Sequence, residues 1–225
     1  MNKVHISIAI DGPAGAGKST VAKKVAEKLK LEYIDTGAMY RAYTLKVLEK
    51  GLDPQNKSEV LSLIDDTEIT FSNNHIYLDG EIVDDKIREN NVSKNVSYVS
   101  SYPEVRKKMV ELQQKMAENN NVIMDGRDIG TVVLPNATHK FFITAKPEER
   151  GKRRYIELLE KNHDDLNLSE IIEDIKKRDE IDSTREESPL RIPDNAIVVD
   201  STNLTIDEVV DLLIEFIKGD NKIVL

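Results

Sequence analysis

Residues Gly12-Pro13-Ala14-Gly15-Ala16-Gly17-Lys18-Ser19 follow the spacing G-x-x-x-x-G-K-[S/T], a pattern suited to holding phosphate. Glycines let such a loop wrap with its N–H groups turned inward. Those donors, with the first amides of a following helix, stabilise phosphate oxygens. Lys18 is expected to reach the β- and γ-phosphates of a triphosphate, and the Ser19 hydroxyl to offer an oxygen to Mg²⁺, with Thr20 next to it. The bland alternative is a glycine-rich turn whose lysine faces solvent. An apolar run before the motif and a helical period after it both speak for the phosphate loop. The γ-phosphate could then be transferred to a small molecule, or hydrolysed to drive a switch.

A switch that reads guanine needs N-K-x-D after a later strand. The nearest match, Asn56-Lys57-Ser58-Glu59, ends in Glu and comes early, in a polar stretch. Val122-Ile123-Met124-Asp125 ends an apolar run on a carboxylate able to hold Mg²⁺ through water, although Asp there is also an ordinary turn residue. The arginines favour transfer, because planar, bidentate guanidinium groups suit a second phosphate and the charge of a transition state. Arg41 follows the expected turn D-T-G-A-M-Y, Arg106 opens a helix, and Arg127 and Asp128 follow a glycine-containing loop. Arg150, Arg153 and Arg154 share a helical stretch, and Arg178 and Arg185 lie further on. Alone, each is an ordinary surface arginine worth under about 1 kcal/mol in an ion pair. Together, several fall just beyond expected strands, where open α/β sheets place ligands.

The elements that must position these groups can be read from apolar periodicity. Residues 4–10 predict a strand leading into the loop, and S-T-V-A-K-K-V-A-E-K-L-K predicts a helix with Val21, Val25 and Leu29 on one face. Further strands are expected at 122–124, 141–143 and 197–199, and helices at 105–116, 147–161, 169–178 and 206–217. Apolar strands alternating with helices predict a mostly parallel sheet flanked by helices. The segment E-I-T-F-S-N-N-H-I-Y-L-D-G-E-I-V departs from this pattern. It predicts three short antiparallel strands at 69–71, 76–78 and 82–83, joined at Asn73-Asn74 and Asp79-Gly80, as a small inserted meander.

A chain of 225 residues fits one compact α/β domain with small insertions. It has no cysteine, so disulfides and thiolate metal sites are excluded. The four histidines, His5, His75, His139 and His163, show no ligand spacing and are expected at the surface or at strand edges. A net charge of -9 argues against a broad nucleic-acid surface. No apolar stretch suits a membrane span, and the N-terminus lacks a signal-peptide pattern, so a cytoplasmic location is expected.

With these residues in view, the chain resembles the bacterial cytidylate kinases, the (d)CMP kinases of the nucleoside monophosphate kinase group. The resemblance runs from I-D-G-P-A-G-A-G-K-S-T through D-T-G-A-M-Y-R, V-S-Y-V, P-E-V-R and D-G-R-D-I-G-T-V-V-L-P to R-D-E-I-D-S-T-R-E-E-S-P-L and D-S-T-N-L-T-I. It implies a P-loop kinase core (about 1–35, 118–148 and 166–225), a monophosphate-binding subdomain containing the meander (about 36–117) and a short lid (about 149–165). It implies transfer of the γ-phosphoryl group of Mg²⁺-ATP to CMP or dCMP, with nucleotides as the partners; a monomer is expected, although the sequence does not give the oligomeric state. The donor would be held by residues 12–20, with Arg153 and Arg154 from the lid, which Arg150 also resembles, though Arg150 is equally read as solvated. Thr36, Arg41, Ser97, Arg106, Arg127, Asp128, Arg178, Asp182 and Arg185 would bind the acceptor. Lys18, Arg127, Asp128 and Arg185 would carry the chemistry, with Ser19 and, through water, Asp125 at the metal.

Part of this agrees with physical chemistry on its own. Cytosine presents an amine donor beside two acceptors, so a carboxylate with an arginine and a hydroxyl complements its edge. Uracil would set a carbonyl against Asp128, at a cost of roughly 1–3 kcal/mol. The plainer roles are a partner for Arg127 in the case of Asp128, and an i, i+4 pair with Arg178 for Asp182. Two alternatives stay open: a regulatory nucleotide-binding switch, and a kinase of the same architecture acting on another monophosphate or on a sugar or acid hydroxyl.

Overall fold

The computed structural model describes residues 5–72, 75–118, 120–160 and 166–219. The chain divides into two compact units. The first takes its described residues from Met1–Ile34, Ala117–Thr184 and Ser188–Leu225; the second comprises Asp35–Met116 with Arg185–Glu187.

In the first unit, β1 (Ser7–Asp11) runs into the loop 12–17 and then α1 (Lys18–Leu29). β1 pairs in parallel with β6 (Val122–Gly126) on one side and with β7 (His139–Thr144) on the other, and β7 pairs in parallel with β8 (Ile197–Asp200). With β2 (Glu32–Asp35) at the far edge, the sheet order is β2-β6-β1-β7-β8. A strand flanked on both sides needs apolar residues on both faces, which is why β1 and β6 read as near-continuous apolar runs. Ile8, Ile10, Ile123 and Phe141 pack with Val21 and Val25 of α1 and with Val210, Leu213 and Ile217 of α8 (Ile206–Gly219). α6 (Pro147–Glu160) and α7 (Leu168–Thr184) approach closely at Gly151, where a Cβ would come within 2.4 Å of Ile172 Cγ1.

The second unit begins with α2 (Thr36–Glu49) and the short α3 (Lys57–Leu61). A three-stranded antiparallel sheet follows, β3 (Ile69–Ser72), β4 (His75–Leu78) and β5 (Glu81–Ile82), then α4 (Asn90–Val99) and α5 (Pro103–Ala117). Met39, Tyr43, Ile76, Ile87, Val99 and Met109 lie in its core. The expected meander is present. Asp79 (φ 50°) and Gly80 (φ 85°) both take the left-handed conformation that a two-residue hairpin of mirrored type requires. The Asn73-Asn74 turn, His163 and the end of the expected lid (161–165) lie outside the described residues.

Three expectations need correction, and several elements went unread. D-T-G-A-M-Y is the capped start of α2, not a turn: the Asp35 side chain accepts a hydrogen bond from Ala38 N (2.8 Å), as an N-cap does. The strand β2 and the helices α2, α3 and α4 went unread, because they are short or, like α2, buried on most sides and without a clear polar face. α7 extends beyond residue 178 to Thr184, which places Asp182 on the helix. His139 is buried in β7, an interior strand, with its ring stacked on that of Phe141.

Candidate active site

The phosphate loop is shaped by its backbone. Gly12, Gly15 and Gly17 have φ of 144°, 72° and 89°. At Gly12 space also excludes a side chain, since a Cβ would lie 1.9 Å from the carbonyl oxygen of Ile143 on β7. Lys18, in the first turn of α1, is buried and its Nζ donates to the Pro13 carbonyl at 2.8 Å, across the mouth of the loop. Burial pulls the Lys18 ammonium down to about 7; Arg127 adds to this, and the carboxylates of Asp125, Asp11 and Asp182 oppose it. An anion brought to this loop therefore meets a group whose charged form the anion itself favours.

Ser19 and Thr20 follow on the exposed face of α1. The Ser19 hydroxyl donates to Asp125 Oδ2 (2.8 Å), and Tyr33 donates to the other oxygen of the same carboxylate (2.9 Å). Asp125 is buried near the end of β6. Hydroxyl and carboxylate oxygens side by side form the hard, all-oxygen donor set that Mg²⁺ prefers. Among the described residues no cluster of three or more acidic or histidine ligands exists.

Asp11, the last residue of β1, accepts from the backbone N–H groups of Ile129 (2.7 Å) and Gly130 (2.8 Å), fixing the turn that follows Arg127 and Asp128. Burial pushes its carboxyl up to about 6 against the pull of those two donors. Asp128 is buried at the start of the π-helical turn Ile129–Val133. Arg127 Nε donates to Asp182 Oδ2 at 2.8 Å. Burial lowers the Arg127 pKa, but the charge and hydrogen bond of Asp182 outweigh it, so the net shift is upward. Asp182, assigned to the acceptor by resemblance and otherwise read as an i, i+4 partner of Arg178, also receives Arg127 from the residue after β6, and Arg178 lies one turn before it on α7.

The helical arginines separate by partner. Arg150 is not solvated. It is buried, with Nε donating to Ala145 O (2.8 Å) and Nη1 to Ala14 O (2.9 Å), and Nη2 is paired with Asp179 Oδ2 (2.7 Å). Arg153 donates to the Ser201 hydroxyl (3.1 Å) and carbonyl, and the Ser201 hydroxyl contacts the carbonyl of Ala16 in the loop. Arg154 pairs with Glu157 on its own helix (2.8 Å).

In the second unit, Thr36 opens α2 and Arg41 lies in its second turn, paired with Asp35 (2.9 Å). Ser97 is buried on α4 and Arg106 on α5. The Arg106 guanidinium lies 5.3 Å from the centre of the Tyr40 ring and donates to Ser100 O at 3.2 Å. Arg185 is buried just after α7, in the short segment that belongs to this unit. Sequence reasoning assigned no role to Asp11, Tyr33, Asp179 or Ser201. Asp11 and Asp179 were visible as direct neighbours of Gly12 and Arg178; nothing in the sequence marked Tyr33 or Ser201.

The family model described as "Cytidylate kinase" matches residues 8–219. The chain belongs to the cytidylate kinase family. Every candidate site residue, from Gly12 to Arg185, falls inside that span. Among relatives, the "Cytidylate kinase" of Clostridioides difficile (strain 630) is 54% identical over 207 residues, covering 92% of this chain and 95% of that protein. The "Cytidylate kinase" of Caldanaerobacter subterraneus subsp. tengcongensis is 51% identical over 222 residues, covering 99% of each. A crystal structure described as an uncharacterized protein from Eubacterium ventriosum ATCC 27560 shares the fold at TM-score 0.53 and 14% identity, covering 96% of this chain and 99% of its own.

Proposed function

We propose that the chain transfers the γ-phosphoryl group of ATP to CMP or dCMP, giving ADP and the cytidine diphosphate, with the residue roles set out below. The observation that carries this is the family match over residues 8–219. The bond from the γ-phosphorus to the bridging oxygen of ADP breaks as an acceptor phosphate oxygen bonds to the same phosphorus. That oxygen is already a nucleophile, so the protein's work is positioning and charge stabilisation rather than covalent catalysis.

The amides of the loop 12–17 and the first turn of α1 cradle the donor phosphates, and Lys18 leaves the Pro13 carbonyl to meet the β- and γ-oxygens. Ser19 and Asp125 would hold Mg²⁺, whose charge would offset that of the phosphates. Arg153 and Arg154 serve the donor side. Arg127, kept charged and oriented by Asp182, and Arg185 face the transferring group and the acceptor phosphate. Thr36, Arg41, Ser97, Arg106, Asp128 and Arg178 take part in binding the cytidine monophosphate, with Asp128 and Arg106 reading the base. A cytoplasmic location belongs to the same proposal; no helix among the described residues is long and apolar enough to cross a membrane.

A coupled assay across CMP, dCMP, UMP, AMP and GMP tests the acceptor, and preference for AMP or GMP would overturn the reading. In the same assay Asp128→Ala should raise the KM for CMP by about ten- to a hundredfold with little change in that for ATP. Equal losses on both substrates would remove Asp128 from the base-reading role.

A further inference from the structure

We infer that Arg150 and Asp179 form a positioning pair that couples the ATP-holding loop to the acceptor-side residues carried by α7. The two side chains close a ring around a single residue of the loop. Asp179 Oδ1 accepts from Ala14 N (3.3 Å), Asp179 Oδ2 pairs with Arg150 Nη2 (2.7 Å), and Arg150 Nη1 donates to Ala14 O (2.9 Å). Both backbone groups of Ala14 are therefore committed to helices rather than to phosphate. Ala14 is the point at which the loop is held, while the amides beyond it remain for the ligand. The first turn of α6 lies against the loop as well, for a Cβ on Gly15 would come 3.2 Å from Arg150 Cβ.

Arg150 is the stiff member of the pair. Its third donor, Nε, is fixed on Ala145 O at the end of β7 (2.8 Å), so the guanidinium plane is anchored to the sheet. Asp179 is the member that transmits. It follows Arg178 directly and precedes Asp182 by three residues on α7, which puts Asp179 and Asp182 on one face of a rigid element. Asp182 in turn receives Arg127 Nε at 2.8 Å. A shift of the loop as phosphates enter is passed from Ala14 through Asp179 along α7 to Asp182 and Arg127. Neither Arg150 nor Asp179 needs to touch a substrate.

This inference rests on the proposed function, in which the loop takes ATP while Arg127, held by Asp182, faces the acceptor. The test uses the full chain and measures the Kd of CMP alone and with a saturating non-hydrolysable ATP analogue and Mg²⁺. The wild type should bind CMP about tenfold more tightly with the analogue present. Asp179→Asn sets an amide NH₂ against Arg150 or Ala14 N–H, and Arg150→Lys keeps the charge but loses the three-way fork. In both variants the ratio of the two Kd values should fall toward one and the KM for ATP should rise about tenfold, with CMP affinity in the absence of analogue changed less than about twofold. A merely structural pair would lower the thermal midpoint and leave the ratio intact, and that result overturns the inference. So does a wild-type ratio of one, or an equal loss of CMP affinity with and without the analogue. If Asp179→Asn fails to fold, Arg150→Lys carries the test. A wild type that does not phosphorylate CMP refutes the proposed function, whereas CMP turnover with the ratio retained in the variants refutes the pair alone.

Discussion

On the proposed function, the phosphate loop and the second unit solve recognition in opposite ways. In the loop the backbone does the work: glycines set the path, the Ile143 carbonyl leaves no room for a Cβ at Gly12, and Lys18 is the one long side chain. In the second unit the proposed recognition would fall to side chains, each braced by a neighbour. Arg41 is held by Asp35, and Arg106 by the face of Tyr40 and the carbonyl of Ser100. A triphosphate offers oxygens that any N–H can meet, so a contiguous loop suffices. A base offers an edge with a set order of donors and acceptors, which must be met by particular groups brought from distant parts of the chain. The loop should therefore fail all at once when altered, and the second unit by degrees.

Lys18→Ala is the severest break of that contrast. It removes the group proposed to meet the β- and γ-oxygens while sparing the glycine geometry, so kcat should fall by about a thousandfold or more. Removing a buried ammonium leaves the Pro13 carbonyl without its donor but relieves the burial that pulls Lys18 down to about 7. Thermal unfolding should accordingly move little. A variant that lost its fold along with its turnover would show that Lys18 holds the loop together, against the view that the backbone does.

Arg106→Lys probes the other side at smaller amplitude. Lysine keeps the charge but cannot stack its plane 5.3 Å from the centre of the Tyr40 ring while donating to Ser100 O. The KM for CMP should rise about tenfold with the KM for ATP unchanged. A matching rise for ATP would sink the division of labour between the two regions.

The same contrast decides what could be read from sequence. The loop lies in eight consecutive residues, and its strand and helix are strongly periodic, so the strand, loop and helix were legible without any comparison. The meander was legible too, because Asp79-Gly80 demands one kind of turn. α2 was not. Thr36, Met39, Tyr40, Tyr43 and Val47 are buried around much of its circumference, and a helix without a polar face gives no 3.6-residue signal. Arg150 was misread for a related reason. Sequence shows an arginine among charged neighbours on a helix, and only the fold brings Ala14, Ala145 and Asp179 around it. Salt-bridge partners far apart in the chain, such as Arg127 and Asp182, leave no local pattern at all.

The smallest effect concerns protons. A lysine lowered from 10.5 to about 7 binds fewer protons folded than unfolded between those values, so its contribution to stability rises with pH across that window. The causes are burial first and then Arg127, and a triphosphate beside Nζ opposes both by favouring the ammonium. At about pH 8 the free loop should therefore hold a mostly neutral Lys18, and binding of an ATP analogue should take up close to one proton. Calorimetric binding enthalpies in two buffers of different ionisation heat measure that uptake directly. Lys18→Ala should abolish it, while Arg106→Lys, in the region that binds through other side chains, should leave it unchanged. Asp11, raised to about 6, has the opposite sign: folded, it binds more protons than unfolded between 3.8 and about 6, so its contribution to stability is lost as pH rises through that lower window. Uptake that survived in Lys18→Ala at about pH 8 would thus belong to neither Lys18 nor Asp11, whereas a wild type that took up no proton would receive its anion through a charge already in place.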